Sequence, residues 1–164
     1  MRDWFVGILF AIGAFLYLYK GFSKLEDWAL NTGGACAIGI ATCPMPWNCG
    51  AQCGFSIHYV FAICFFLCIA YVCIFRASDT LHLLNDQRRE RKFQAIYRTL
   101  GILMIISPLT ALLMALVFMR LKEYIYFAEL AGIWTFACYW LVKSRELSVT
   151  NAEHLALDGR LKTK

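Results

Sequence analysis

The sequence predicts an all-α fold, a polytopic helical bundle that spans a membrane, and two observations support this prediction. Five apolar stretches occupy most of the chain, at residues 4–19, 25–45, 56–75, 99–119 and 123–142. An α-helix needs about 20 mostly apolar residues to cross a hydrocarbon core of about 30 Å. The apolar fraction is 60% and the mean hydropathy is +0.58, which exceed the values of ordinary soluble domains.

The first stretch is predicted to be a retained membrane helix rather than a cleaved secretory signal. Its leading residues, Met1-Arg2-Asp3, carry almost no net charge, whereas a signal begins with a basic segment. The end of the stretch, Leu16 to Lys20, has no small residues at which a signal peptidase would cut. We therefore count residues 4–19 as a span.

The second stretch has two interpretations, because Asn31, Thr32 and several glycines dilute it. It is either an outer loop, which gives four spans, or a crossing helix, which gives five spans and an outside N-terminus. Ser23-Lys24-Leu25-Glu26 is a capping box, and a stripe of small residues recurs every four positions, which allows close helix packing in lipid. The stripe consists of Ala29, Gly33, Ala37 and Ala41. We favour five spans, with four as the alternative.

The remaining stretches are predicted to be three further helices. The charged connection 76–98 is expected to extend the third span through Asp79 and His82. Pro108 is expected to kink the fourth helix, because it removes a backbone hydrogen bond. We assign residues 1–146 to one transmembrane bundle and residues 147–164 to a cytoplasmic tail. That tail is predicted to form a short amphipathic helix beginning near Thr150.

The net charge of +5 does not indicate nucleic-acid binding, because the basic residues flank the apolar spans. Such residues mark the cytoplasmic side of a membrane protein. The connection 76–98 and the C-terminal tail are therefore predicted to lie inside. The basic residues of that connection are Arg76, Arg88, Arg89, Arg91, Lys92 and Arg98.

Several short phrases occur together in a specific order. They are 19–23, 26–31, 37–41, 58–62, Phe65-Phe66, Ala70-Tyr71, Tyr97-Arg98 with Gly101 and Met104, Glu129, 134–136 and 139–143. This pattern resembles a group of small uncharacterised bacterial multi-pass inner-membrane proteins, over about residues 17–143. The resemblance implies the bacterial cytoplasmic membrane and a helical second stretch. It implies no activity, and the cysteine-rich run 43–53 departs from it.

Three of the eight cysteines lie in a predicted outer connection, namely Cys43, Cys49 and Cys53. Because that compartment is oxidising, a disulfide is expected, either Cys43–Cys53 or Cys49–Cys53. Their spacing, even with His58, matches no common zinc pattern, so no metal site is predicted. The other five cysteines are expected to act as small apolar side chains within the bundle.

Two polar sites are predicted within or near the membrane. His58 and Glu129 both fall near the outer face, and a carboxylate in lipid should face the bundle and find a partner. With Trp134, they form a candidate ligand or polar site. Asp27 and Asn31, together with Arg98 or its neighbour Tyr97, form a candidate polar cluster near the inner face.

The expected function is non-enzymatic, an accessory or small-molecule-responsive bundle with a polar site near the outer leaflet. The expected partners are the lipid bilayer and another membrane protein or a second copy, with no nucleic acid. No catalytic residue is predicted and the cofactor is left open, although a single histidine in a span excludes bis-histidine haem. The alternatives are a small carrier and a membrane thiol–disulfide oxidoreductase that uses the outer cysteines Cys43, Cys49 and Cys53. Against the oxidoreductase, the sequence contains no Cys-x-x-Cys pair and no cysteine in the connection 119–124.

Overall fold

A computed structural model describes residues 2–43, 56–84, 86–118 and 121–150, and the regular secondary structure of these residues is entirely helical, with no strand among them. The helices are α1 (Arg2–Leu18), α2 (Lys24–Thr42), α3 (Ile57–Tyr71), α4 (Gln87–Phe118) and α5 (Leu121–Thr150). A π-helical turn, Val72–Arg76, continues α3, and a 3₁₀ turn covers Leu81–Leu83. The all-α prediction is confirmed, including a helix in the ambiguous second stretch.

Two helical segments among the described residues are long and apolar enough to cross a membrane. They are Ile57–Leu83, with 27 residues, and Gln87–Met114, with 28 residues. Within their apolar windows only 39% and 18% of the residues, respectively, are buried. A shorter apolar helix covers Asp3–Leu18. Two such helices are weak evidence of membrane association.

The chain divides into two compact units, residues 1–68 and 69–164. In the first unit, α1 and α2 approach each other closely at two glycines. A Cβ added to Gly34 would lie 2.9 Å from the carbonyl oxygen of Gly13, and one added to Gly13 would lie 2.7 Å from Ile38 Cγ1. Only glycine permits this approach. Of the predicted small-residue stripe, Gly33, Ala37 and Ala41 are buried.

The start of α2 is capped by Ser23 as the sequence indicates, whereas the return bond of Glu26 goes to the residue before Ser23 rather than to Ser23 itself. The Ser23 hydroxyl oxygen accepts from the Glu26 backbone N–H at 3.3 Å. Glu26 reaches back, and its carboxylate accepts from the Phe22 backbone N–H at 2.9 Å. These bonds satisfy backbone donors that a helix start otherwise leaves without partners.

In the second unit, α4 packs along α5, and the π-helical turn packs on α4. Gly101 of α4 is buried there, and a Cβ at that position would collide with Ile74 and lie 3.1 Å from Cys73 Cβ. The helix begins at Gln87, well before the predicted start at residue 99, and it continues through Pro108. Its first turns are polar and exposed, so hydropathy does not reveal them.

The last helix, α5, continues to Thr150, beyond the predicted end of the span at residue 142. Lys143, Glu146, Leu147 and Thr150 are all buried. The C-terminal part of α5 therefore belongs to the packed core of the second unit. The predicted tail helix beyond it lies outside the described residues.

Candidate functional site

The most unusual feature of the second unit is a fully buried pair of opposite charges on α5. Lys143 and Glu146 are one turn apart, and their side chains are 1% and 0% exposed. The Lys143 Nζ lies 2.8 Å from Glu146 Oε2. Charged side chains are almost never fully buried unless they are paired, because each loses its hydration.

The ammonium group of Lys143 has three acceptors, which is its full donor capacity. Besides Glu146, it donates to the Thr80 hydroxyl oxygen at 2.8 Å and to the Ala77 carbonyl oxygen at 3.1 Å. Ala77 follows the π-helical turn, where the helical run that began at Ile57 ends. A cation is favourable at such a C-terminal end, because carbonyl groups there lack helical partners.

The carboxylate of Glu146 is also fully engaged. Tyr97 of α4 donates its hydroxyl hydrogen to Oε2 at 2.7 Å, and Thr80 donates its hydroxyl hydrogen to Oε1. The Lys143 Nζ lies 5.6 Å from the centroid of the Tyr97 ring, within the range of a cation–π contact. Tyr139 packs against Tyr97 from α5, with ring centroids 5.7 Å apart.

These five residues, Ala77, Thr80, Tyr97, Lys143 and Glu146, are called the Lys143–Glu146 cluster below. They join α4, α5 and the connection after α3. Both charges are neutralised by contacts inside the protein, so the cluster holds three segments in one arrangement. Such an arrangement suits a structural or switching role, because each polar group is already committed to a partner.

The residues of the predicted outer-leaflet site occupy different environments. His58, in the first unit, is 5% exposed, and its Nδ1 lies 2.8 Å from the Cys43 carbonyl oxygen. Glu129, in the second unit, is half-buried, and Trp134 is 65% exposed. The contact between His58 and Glu129 stays a prediction.

The predicted inner-face cluster is brought together in part. Asp27 accepts from the Asn31 side-chain amide at 3.4 Å and from the Gly21 backbone N–H at 3.3 Å. Both bonds stabilise the start of α2. Arg98 is exposed on α4 in the second unit, and its participation in this cluster stays a prediction.

Cys49 and Cys53 lie outside the described residues, so the outer disulfide also stays a prediction. No two of the six described cysteines are joined, and among the described residues no three His, Cys, Asp or Glu side chains are placed so that they could hold a metal ion. In the first unit, Cys64 of α3 lies close to Cys36 of α2 and to Cys68 one turn further along α3. The sequence does not show this juxtaposition, because the two helices are separated in the chain.

The sequence pattern did not identify the Lys143–Glu146 cluster. Lys143 and Arg145 follow the last apolar stretch, which is typical of a solvated cytoplasmic flank. In the structure their environments differ, because Lys143 is buried whereas Arg145 is exposed. A usable signal was present, since Lys143 and Glu146 have opposite charges and the i, i+3 spacing of one helix face.

Comparison of the chain with protein-family models, with curated proteins and with solved structures finds no match.

Proposed function

We propose that this chain is a multi-pass protein of the bacterial inner membrane with five crossing helices. We further propose that its role is non-enzymatic, as an accessory that binds the helix of another membrane protein. The main support is the exposed apolar face of α5. A lipid environment is proposed because large apolar side chains are also exposed along α3 and α4.

The exposed apolar residues of α5 recur every three or four positions, so they form one stripe along the helix. Its apolar members are Phe127, Leu130, Trp134, Cys138 and Leu141, all exposed. Among them, Trp134 and Leu141 are 65% and 66% exposed. Contiguous apolar patches of this kind are rare on soluble monomers and mark membrane or protein contacts. A tryptophan is a common energetic centre of protein interfaces.

The opposite side of α5 supports a passive rather than a catalytic role. There, the Lys143–Glu146 cluster binds α5 to α4 and to the connection after α3. Its charges are engaged with one another and with neighbouring hydroxyl and carbonyl groups. The cluster therefore holds α5 in place while the exposed stripe remains available for a partner.

The membrane topology is tested with reporter fusions after Lys20 and after Lys164. Five spans with an outside N-terminus place both reporters in the cytoplasm, and the protein should stay in membranes after washing with alkaline carbonate. A periplasmic signal at Lys20 would contradict five spans. Release by carbonate would contradict the membrane location itself.

The accessory role is tested at Cys138, which is exposed on the α5 stripe. A bifunctional reagent, with one maleimide and one photoreactive group, is attached to this thiol in native membranes. We expect a defined adduct with another membrane protein, which disappears in the Cys138→Ser variant. An adduct with a second copy would identify a homo-oligomer instead. Adducts with lipid alone would refute the accessory role.

A second candidate is thiol–disulfide exchange, which the grouping of Cys36, Cys64 and Cys68 favours. In this reaction, two thiols form a disulfide and release two electrons and two protons to a quinone, which becomes a quinol. Incubation of membranes with a short-chain ubiquinone should then yield a Cys36–Cys64 linkage and an equal amount of quinol. Complete alkylation of all three thiols after that incubation would reject this candidate.

A further inference from the structure

We propose that one face of α4 binds a single anionic phospholipid, with its phosphate on basic residues near the start of the helix and its acyl chain along the apolar residues that follow. This inference rests on the proposed membrane location. Beyond that location, it assigns a specific binding site on α4 and a class of ligand, the anionic phospholipids. Three observations support it: a basic groove, its continuity with an apolar stripe, and the length of both.

The groove lies beside the first turns of α4 and has a volume of about 500 Å³. Among the described residues, it is lined by Gln87, Arg88, Arg91, Lys92 and Ala95. Arg88, Arg91 and Lys92 are exposed, and the ion pairs found in the described part of the chain do not include them. A guanidinium group presents two parallel donors that match a phosphate, so this groove is suited to an anionic headgroup.

Arg89 carries the same side chain as Arg88 and Arg91, but it is paired with an acidic residue and lies outside the groove. It lies 3.5 Å from the carboxylate of Asp86, and both side chains are largely exposed. With 3.6 residues per turn, Arg89 is rotated about 100° from Arg88 and away from the groove. The chain therefore contains a matched internal control for a cation outside the proposed site.

The basic groove continues into an apolar stripe on the same face of α4. Positions three and four apart lie on one helix face, and this face runs from Arg88 through Arg91, Ala95 and Thr99. It then contains Ile102, Ile106, Leu109, Leu113 and Val117, which are 50%, 46%, 57%, 59% and 64% exposed. A phosphate bound at the groove would therefore place its acyl chain against these side chains.

The dimensions agree with one leaflet of a bilayer. From Ile102 to Val117 the apolar part of the stripe covers fifteen residue steps, which rise about 22 Å at 1.5 Å per residue. The hydrocarbon half of a bilayer is about 15 Å thick, so this part covers the full depth of one leaflet. One lipid can therefore place its headgroup on the basic residues and its acyl chain along the apolar residues at the same time.

The charge of the groove selects anionic over zwitterionic lipids. Each lysine or arginine close to an anionic surface raises the affinity about fivefold. A zwitterionic headgroup carries its own ammonium group next to the phosphate, which opposes the three cations. We therefore expect phosphatidylglycerol or cardiolipin, rather than phosphatidylcholine, at this site.

The test uses the full-length protein in mild detergent, and native mass spectrometry measures the dissociation constant of added phosphatidylglycerol. The triple variant Arg88→Gln/Arg91→Gln/Lys92→Gln should weaken binding at least tenfold, while phosphatidylcholine binding is unchanged. Arg91→Gln alone should weaken it about fivefold, Arg91→Lys should weaken it less, and Arg89→Gln should change it less than twofold. Circular dichroism checks that each variant keeps its helix content.

Several results would overturn the inference. Equal losses for Arg89→Gln and Arg91→Gln would indicate diffuse electrostatic attraction without a site. Competition by inorganic phosphate or glycerophosphoglycerol as strong as that by the intact lipid would show that the apolar stripe contributes nothing. Unchanged lipid binding in the triple variant, with the wild-type protein still resistant to carbonate, refutes the lipid site alone. Release of the wild-type protein by carbonate refutes the proposed membrane location instead.

Discussion

Replacing Lys143 by methionine tests whether the buried cluster stabilises the second unit. Methionine has a similar length but no charge and no hydrogen-bond donor. The change removes the hydrogen bonds of the ammonium group with Ala77, Thr80 and Glu146, and also its cation–π contact with Tyr97. The Glu146 carboxylate, 0% exposed in the native protein, then keeps the hydroxyl groups of Tyr97 and Thr80 as its donors among the described residues.

The expected loss in the free energy of unfolding is about 3–5 kcal/mol, because a buried charge is left without its counter-ion. At about 1.4 kcal/mol per factor of ten, the unfolded fraction rises by two to more than three orders of magnitude. The double variant Lys143→Met/Glu146→Gln should lose only about 1 kcal/mol. Its neutral amide needs no counter-ion, and its oxygen still accepts from Tyr97.

The assay is unfolding of the purified protein in mixed micelles, followed by tryptophan fluorescence and circular dichroism as the denaturing detergent is increased. Lys143→Met, Glu146→Gln and the double variant form a cycle with an expected coupling of at least about 2 kcal/mol. Arg145→Met, at an exposed position of the same helix, is the control and should change stability by less than about 0.5 kcal/mol. Equal stability of Lys143→Met and Arg145→Met, or additive effects in the cycle, would refute this account.

Three further predictions concern other parts of the chain. Gly34→Ala should lower the melting temperature by an amount that corresponds to about 1–2 kcal/mol, since the added Cβ would lie 2.9 Å from the Gly13 carbonyl oxygen. Gly7→Ala is its control and should not destabilise, because nothing lies within 4 Å of the new Cβ; similar melting curves would argue against close packing of α1 and α2. Peptide mapping without reduction should recover Cys53 linked to Cys43 or Cys49, and alkylation of all three thiols in the native protein would exclude this disulfide. Glu129→Leu should abolish any ligand response, and Glu129→Gln should have a milder effect on that response, because an amide keeps a hydrogen bond; if Glu129→Leu changes neither stability nor ligand binding, the polar site does not exist.

The helical elements were predictable where the residues that define them are neighbours in the chain. Ser23 and Glu26 are three residues apart, and they cap α2 as their spacing indicates. The apolar stretches likewise define α1 and the centres of α3, α4 and α5, because a run of apolar residues is a local property. The ends of α4 and α5 were less predictable. Polar residues there extend the helices beyond the apolar stretches, to Gln87 and Thr150.

The candidate site depends on contacts that local patterns do not encode. Thr80 and Glu146 are 66 residues apart in sequence, and Tyr97 and Glu146 are 49 apart. Hydropathy treats Lys143 and Arg145 alike, yet only the packing of α4 and α5 makes one buried and the other exposed. The sequence by itself therefore determined the helical class, the apolar character and the cap of α2. The tertiary structure decided which charges are paired away from water, because the cost of burying a charge depends on neighbours that only folding brings near.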